Sequence, residues 1–248
     1  MWKKFKAWFH QWGSAPWFYR RSTRWERWLW AGTIITALPA LFMGLFVVPT
    51  DYLQGDSYRI IFIHVPSAWM SMMIFGVMAL LSLVALVWRI RTTEIMAMAC
   101  APIGAAFTAI TLSTGSLWGR PTWGTYWQWD GRMTSELILL FLYIGVIALY
   151  QAIEDKRQAA RAAGLLAIIG VVNIPIIHYS VQWWTTLHQG STIKLTGPSS
   201  IDASMIAPLL LMVVATKLFF AATLFTRTRA ELLVQDRHKK WINEVVAS

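Results

Sequence analysis

Six stretches of the chain, roughly residues 28–48, 65–87, 96–117, 135–153, 162–181 and 205–226, are apolar over about 18 residues or more. A helix rises about 1.5 Å per residue and needs about 20 residues to cross the hydrocarbon, so each stretch predicts a transmembrane helix. Two connections, RIRTTE at 89–94 and EDKRQAAR at 154–161, are short and charged and read as tight turns between antiparallel helices. No linker and no internal repeat divides residues 1–248, which predicts one all-α membrane domain rather than several soluble ones. The remaining connections differ in character: PTDYLQGDSYR at 49–59, an aromatic segment at 118–134, and a long loop at 182–204. Uncharged or weakly charged loops on a rigid scaffold are where site residues tend to sit, so function is expected on the face that carries them.

Composition agrees with the span pattern. Hydrophobic residues make up 56% of the chain and charged ones 14%, with a mean hydropathy of +0.48; soluble domains carry about a quarter charged residues. The net charge of +10 raises the question of nucleic acid. Its distribution answers it. Seventeen of the 22 lysines and arginines fall in the N-terminal segment, in the 89–94 and 154–161 turns and beyond residue 226. Only Arg59, Arg120, Arg132 and Lys194 lie on the other face, and Lys217 lies inside a span. That asymmetry predicts cytoplasmic termini and attraction to anionic lipid, with no nucleic-acid patch. The N-terminal segment does not have the form of a secretory signal, because its apolar run starts late and reaches full spanning length. Residues 2–28, which mix Trp2, Trp8, Trp12, Trp17 and Trp25 with Lys and Arg, are expected to lie flat in the cytoplasmic interface. The single cysteine, Cys100, sits in an apolar run and is read as a buried thiol.

The densest chemistry is the segment WGRPTWGTYWQWDGRMTSE at 118–136. Trp118, Trp123, Trp127, Trp129 and Tyr126 fall within twelve positions and are closed by Asp130. Interfacial belts account for Trp28, Trp30, Trp69 and Trp88, since Trp and Tyr suit the headgroup level. A belt spreads its rings over many helix ends, however, and four of 16 tryptophans in one short segment reads better as a stacking platform. Gly119, Pro121 and Gly124 are expected to break regular helix there and let rings turn inward.

Five histidines are present. His10 and His238 belong to the terminal segments and read as solvated or interfacial. His64, in YRIIFIHVPSAW, opens the second span with Pro66 in its first turn, and His188, in WWTTLHQGST, follows Trp183 and Trp184 in the long loop. By the span count both lie on the face of the aromatic segment. Imidazole is the commonest metal ligand and a frequent axial ligand of haem iron. Hydrogen-bonded interfacial histidines are equally compatible with the sequence, and both readings stay open. His178, in NIPIIHYS, is at the end of the fifth span. There it is either a functional group or a neutral core residue satisfied by Asn173, Tyr179 and Ser180.

Zinc is poorly supported, with no HExxH and no paired cysteines. No P-loop, GxGxxG or Ser–His–Asp order appears either. The parts fit a large flat ring with a central metal and acidic edges, which is the shape of haem. Indoles would cover its face and two histidines would cap the iron. Arg59, Arg120 and Arg132 are candidates to pair with its propionates and read equally as interface anchors.

With these residues assembled, the segment 118–136 resembles the tryptophan-rich "WWD" signature of haem-handling proteins in cytochrome c maturation. Together with six spans, HVP at 64–66 and IIHYSVQWWTTLHQGST at 176–192, the whole chain resembles the haem exporter protein C (CcmC) family. The resemblance implies binding of haem b at the periplasmic face of the bacterial inner membrane. It implies presentation to the haem chaperone CcmE, and work with the transporter subunits CcmA and CcmB and the small membrane protein CcmD. It implies axial ligands at His64 and His188 and a platform of Trp118, Trp123, Trp127 and Trp129 with Asp130. Tyr126, Trp183, Trp184 and His178 are secondary candidates. No ATP would be spent by this chain, and its contribution would be positioning rather than enzymatic chemistry. The alternative is an electron-transferring subunit of the cytochrome b kind, with bis-His haem inside the bilayer. A haem permease is disfavoured, because broken helices and polar linings are not evident.

Overall fold

The computed structural model describes residues 11, 13–188 and 201–246. Expectations placed on Trp2, Trp8, His10, Trp12 and the stretch 189–200, with Lys194, lie outside these. The described chain is helical, with a single isolated β-bridge between Asp51 and Gly55. In order come α1 (Ala15–Phe42), a π turn (Met43–Val47), a 3₁₀ turn (Asp56–Ile60), α2 (Ile61–Trp88) and α3 (Arg91–Trp123). They are followed by α4 (Gly131–Ala152), α5 (Lys156–Gly170), α6 (Asn173–Trp183), α7 (Ala203–Gln235) and α8 (Lys240–Val246). Among the described residues, six helical stretches are long and apolar enough to cross a membrane: Ala15–Val47, Asp56–Trp88, Arg91–Trp123, Gly131–Ala152, Lys156–Trp183 and Ala203–Gln235.

The helices start and stop where local chemistry dictates. Asp130, Asp155 and Asp202 cap α4, α5 and α7, each accepting a backbone N–H of its own first turn, from Met133, Gln158 and Ser204 at 2.7–2.8 Å. α3 ends at Gly124, whose φ of 80° suits a residue without Cβ. Three sequence expectations change here. α1 runs unbroken from Ala15 into the first span, so residues 15–28 are one helix with it rather than a separate interfacial segment. Pro66 is the sixth residue of α2, because the 3₁₀ turn feeds directly into the helix and lengthens it toward its N-terminus. The fifth span is two helices, parted at Val171 and Val172. Pro175 has no N–H for the Val171 carbonyl, which accepts from Ile174 instead at 3.0 Å.

Helices α2 to α6 pack around Met70, Ile74, Phe75, Phe107, Leu139, Tyr143 and Ile177, with α7 against α2 and α3. α1 packs on α7 and turns Ile34, Ile35, Leu38 and Phe42 outward, as expected of a helix with apolar surroundings. At one end of the bundle Phe18, Ile95 and Leu232 bring together the starts of α1 and α3 and the end of α7, pinned by the Arg91–Asp236 and Lys239–Asp236 ion pairs. At the other end Tyr58, Phe62, Met205 and Leu209 form a second cluster against Trp118. That end carries the candidate site.

Candidate functional site

The last three turns of α3 form its floor. Thr114 and Trp118 are one turn apart on this helix, as are Gly115 and Gly119, and Trp123 closes it. Gly119 and Pro121 do not interrupt the helix as expected. The ring of Trp123 folds back over Gly119, where a Cβ would lie 3.1 Å from its Cε3. Only Gly124 breaks the helix, leaving 125–130 irregular before α4.

Two histidines from separate connections meet this floor. His64, one turn into α2, lies edge-on to Trp118 with ring centroids 5.7 Å apart, and its Nδ1 is 3.0 Å from Thr114 Oγ1. His188 lies edge-on to Trp123 at 4.6 Å.

His188 is held by a carboxylate. Its Nδ1 is 2.7 Å from Asp130 Oδ2, which also accepts from the Thr186 hydroxyl, while Asp130 Oδ1 accepts the Met133 N–H at 2.8 Å. The Thr186 oxygen in turn accepts the His188 backbone N–H at 3.1 Å. Burial disfavours the Asp130 carboxylate, but the bonds from Thr186, Met133 and His188 outweigh it and hold its pKa below the ordinary value. Burial likewise lowers the pKa of His188, and the bond and charge of Asp130 offset this only in part. The pair is therefore an ionised carboxylate beside a neutral imidazole. The imidazole proton sits on Nδ1 facing the carboxylate, which leaves the Nε2 lone pair free to ligate.

The other aromatic candidates divide by environment. Trp118 Nε1 donates to Gln54 Oε1 at 2.7 Å, tying α3 to the Asp51–Gly55 loop. Trp127 packs edge-on to Trp129 at 5.3 Å, and its indole N–H is buried without a partner among the described residues. Trp129 is 76% exposed and Tyr126 is exposed beneath Arg120. Trp184 packs on Gly131 at the start of α4, and Trp183 stacks on Tyr179.

The three arginines are not equivalent. Arg59 is committed to Asp56 at 2.9 Å and to the Gly44 carbonyl at 3.0 Å. Arg120 donates to the Gly124 carbonyl and closes the end of α3. Arg132 is held loosely, 3.3 Å from Ser180 Oγ and 3.5 Å from the His178 carbonyl, and its charge reaches His188 and Asp130. His178 itself is exposed on α6 and meets Tyr179 edge-on. It is not the satisfied core residue allowed for in the sequence, because Asn173 is bonded to Ser135 and Ser180 to Ile177 and Arg132. Thr114, Gly115, Gln54 and Thr186 are the contacts that sequence reasoning missed. The first two could have been found from their helical spacing to Trp118 and Gly119.

Fold and site define an all-α membrane protein of six spans, with paired imidazoles set among indoles at one end of its bundle. Residues 8–243 match the family described as Heme exporter protein C (CcmC). The chain is 46% identical over 246 residues to Heme exporter protein C of Escherichia coli (strain K12), covering 99% of this chain and 98% of that protein. It is 50% identical over 206 residues to Heme exporter protein C of Bradyrhizobium diazoefficiens, covering 83% and 78%. A mitochondrial protein of Marchantia polymorpha, described as ccmC-like for cytochrome c biosynthesis, is 43% identical over 191 residues, covering 77% and 79%. The chain belongs to the CcmC family.

Proposed function

We propose that this chain holds haem b at the tryptophan-rich end of its bundle, with His64 and His188 as axial ligands, and presents it to the haem chaperone CcmE for covalent attachment. Membership of the family supports the broader role, haem handling for cytochrome c maturation by a multi-pass membrane protein. The observation that carries the ligand assignment is that His64 from α2 and His188 from the loop after α6 meet the same end of α3 on Trp118 and Trp123. The surroundings suit haem. His188 offers a free Nε2, and the buried Trp127 N–H has no acceptor among the described residues, where a carboxylate edge would supply one. Arg132 is the arginine best placed for a propionate, while Arg59 and Arg120 are largely committed to protein groups. Trp118, Trp123, Trp127 and Trp129 shield the ring, Tyr126, Trp183 and Trp184 border it, and His178 is left without a ligand role.

The seventeen-to-four charge asymmetry supports a periplasmic site in the inner membrane. Work beside CcmA, CcmB and CcmD belongs to the same proposal. The chain's share of the chemistry is to bind, orient and leave one edge of haem reachable, which is positioning rather than general acid or base catalysis. An electron-transferring subunit is less well supported, because the paired histidines sit at a bundle end and His178 faces outward.

Co-expression with CcmE tests the reading. The chaperone is expected to acquire covalently bound haem, seen by haem staining after denaturing electrophoresis, only when this chain is present and its two histidines are intact. Equal loading without the chain would refute presentation. Asp130 supplies a finer prediction. Asn caps helices about as well as Asp, so Asp130→Asn leaves α4 intact but removes the carboxylate from His188; haem affinity is expected to fall about 10–100-fold. Asp130→Ala loses the cap as well, a further cost of about 1 kcal/mol to stability. Haem titration and apo-protein melting separate the two effects, and unchanged affinity in Asp130→Asn would reject the orienting role.

A further inference from the structure

We propose that Thr114 and Gly115 are positioning residues for His64, fixing which imidazole nitrogen is turned toward iron. This rests on His64 being an axial ligand. A threonine hydroxyl carries one hydrogen, and Thr114 Oγ1 lies 2.6 Å from the Ile110 carbonyl oxygen one turn back and 3.2 Å from that of Thr111. Both are acceptors only, so the hydrogen is committed to the helix backbone. What Thr114 turns toward His64 Nδ1, 3.0 Å away, is an oxygen lone pair. The hydrogen between them must come from the imidazole. A neutral histidine protonated at Nδ1 keeps its lone pair on Nε2, which is then available to metal.

Back-bonding of threonine to a carbonyl one turn earlier is routine in this protein, as at Thr33, Thr108 and Thr111. Thr114 differs because an imidazole nitrogen from another helix sits on its remaining lone pair. Gly115 fixes the ring's place as Thr114 fixes its proton. A Cβ at Gly115 would lie 3.0 Å from His64 Cε1, so the imidazole occupies space that any other residue would take. Asp130 orients His188 by the same logic with a charged acceptor. The two ligands thus receive unlike partners, a hydroxyl and a carboxylate.

The test titrates haem into apo-protein in detergent and records ferric and ferrous absorption for wild type, Thr114→Val, Thr114→Ser, Gly115→Ala and His64→Ala. Thr114→Val keeps the shape and removes the acceptor; its haem affinity is expected to fall about tenfold, the usual cost of losing a ligand's orienting partner, with Thr114→Ser within about twofold of wild type. Gly115→Ala, with the hydroxyl intact, is expected to shift the bis-histidine spectrum by displacing the ring. If Thr114→Val fails to fold, Gly115→Ala carries the test alone. Wild-type binding and spectra in both Thr114→Val and Gly115→Ala would overturn the inference, provided His64→Ala loses them. Thr114→Ser as impaired as Thr114→Val would also overturn it, because the methyl group rather than the hydroxyl would then matter. If His64→Ala itself keeps the wild-type spectrum, the ligand assignment fails instead.

Discussion

His64→Ala combined with His188→Ala is expected to yield a folded six-span protein that purifies without haem. Each imidazole would supply one axial bond. His178 is turned outward on α6, and no cluster of three or more His, Cys, Asp or Glu able to hold a metal occurs among the described residues. Each single substitution is expected to cost more than the about 10–100-fold typical of losing a group that merely orients a ligand, and to change the remaining haem from bis- to mono-histidine absorption. The fold should survive. The His64 ring bonds Thr114 on the neighbouring helix, and the His188 ring reaches Asp130 and Thr186 in a loop rather than in the core. Absorption spectra and haem-to-protein ratios of wild type, both single variants, the double variant and His178→Ala check this. Haem retained at the wild-type level in the double variant would sink the ligand assignment. Haem lost only in His178→Ala would move the site into the bilayer and favour the cytochrome b-like alternative.

The spans and the cluster of candidate residues were legible in the sequence for a physical reason. Membrane helices announce themselves by length and apolarity alone, and a concentration of indoles beside Asp130 survives any error in boundaries. What stayed hidden depends on side-chain geometry. Gly119 and Pro121 read as breakers, yet α3 continues to Trp123, because a proline late in a long helix removes one bond without ending it and the glycine makes room for an indole. The break at Val171 follows from Pro175, but the apolar residues on either side of Asn173 mask it. The apolar pattern also conceals which face of a span is turned inward, so the exposure of His178 could not be read from it. Thr114 looked like one more threonine in a span, and its meaning appears only when α2 brings an imidazole to it. Asp130 was legible as a candidate, whereas its three simultaneous bonds, to Met133, Thr186 and His188, required the fold.

Gly104→Ala is expected to be the most damaging single-carbon change away from the site. A Cβ at Gly104 would lie 2.1 Å from Tyr143 Cζ and 2.2 Å from its hydroxyl oxygen, so one of the two must move. Tyr143 has little freedom to do so. It is fully buried, its ring packs edge-on to Phe75 at 5.0 Å, and its hydroxyl donates to the Ser71 carbonyl at 2.7 Å. The ring is held at both ends where α2, α3 and α4 meet. Forcing it aside adds an overpacking cost of about 1–3 kcal/mol and strands a buried hydrogen-bonding group at a similar cost. The expected loss is about 2–6 kcal/mol, a large part of the stability of an ordinary domain. The disturbance should also reach the candidate site. Ser71 is two turns below His64 on the same face of α2, about 10 Å along the helix, and its hydroxyl donates to the buried Glu136. Thermal unfolding of the apo-protein in detergent reads the loss directly. Trimming the ring as well, in Gly104→Ala with Tyr143→Leu, relieves the clash and should cost less than the sum of the two single changes. A Gly104→Ala protein that melts with the wild type would mean that α3 and α4 are not packed as closely as Tyr143 requires.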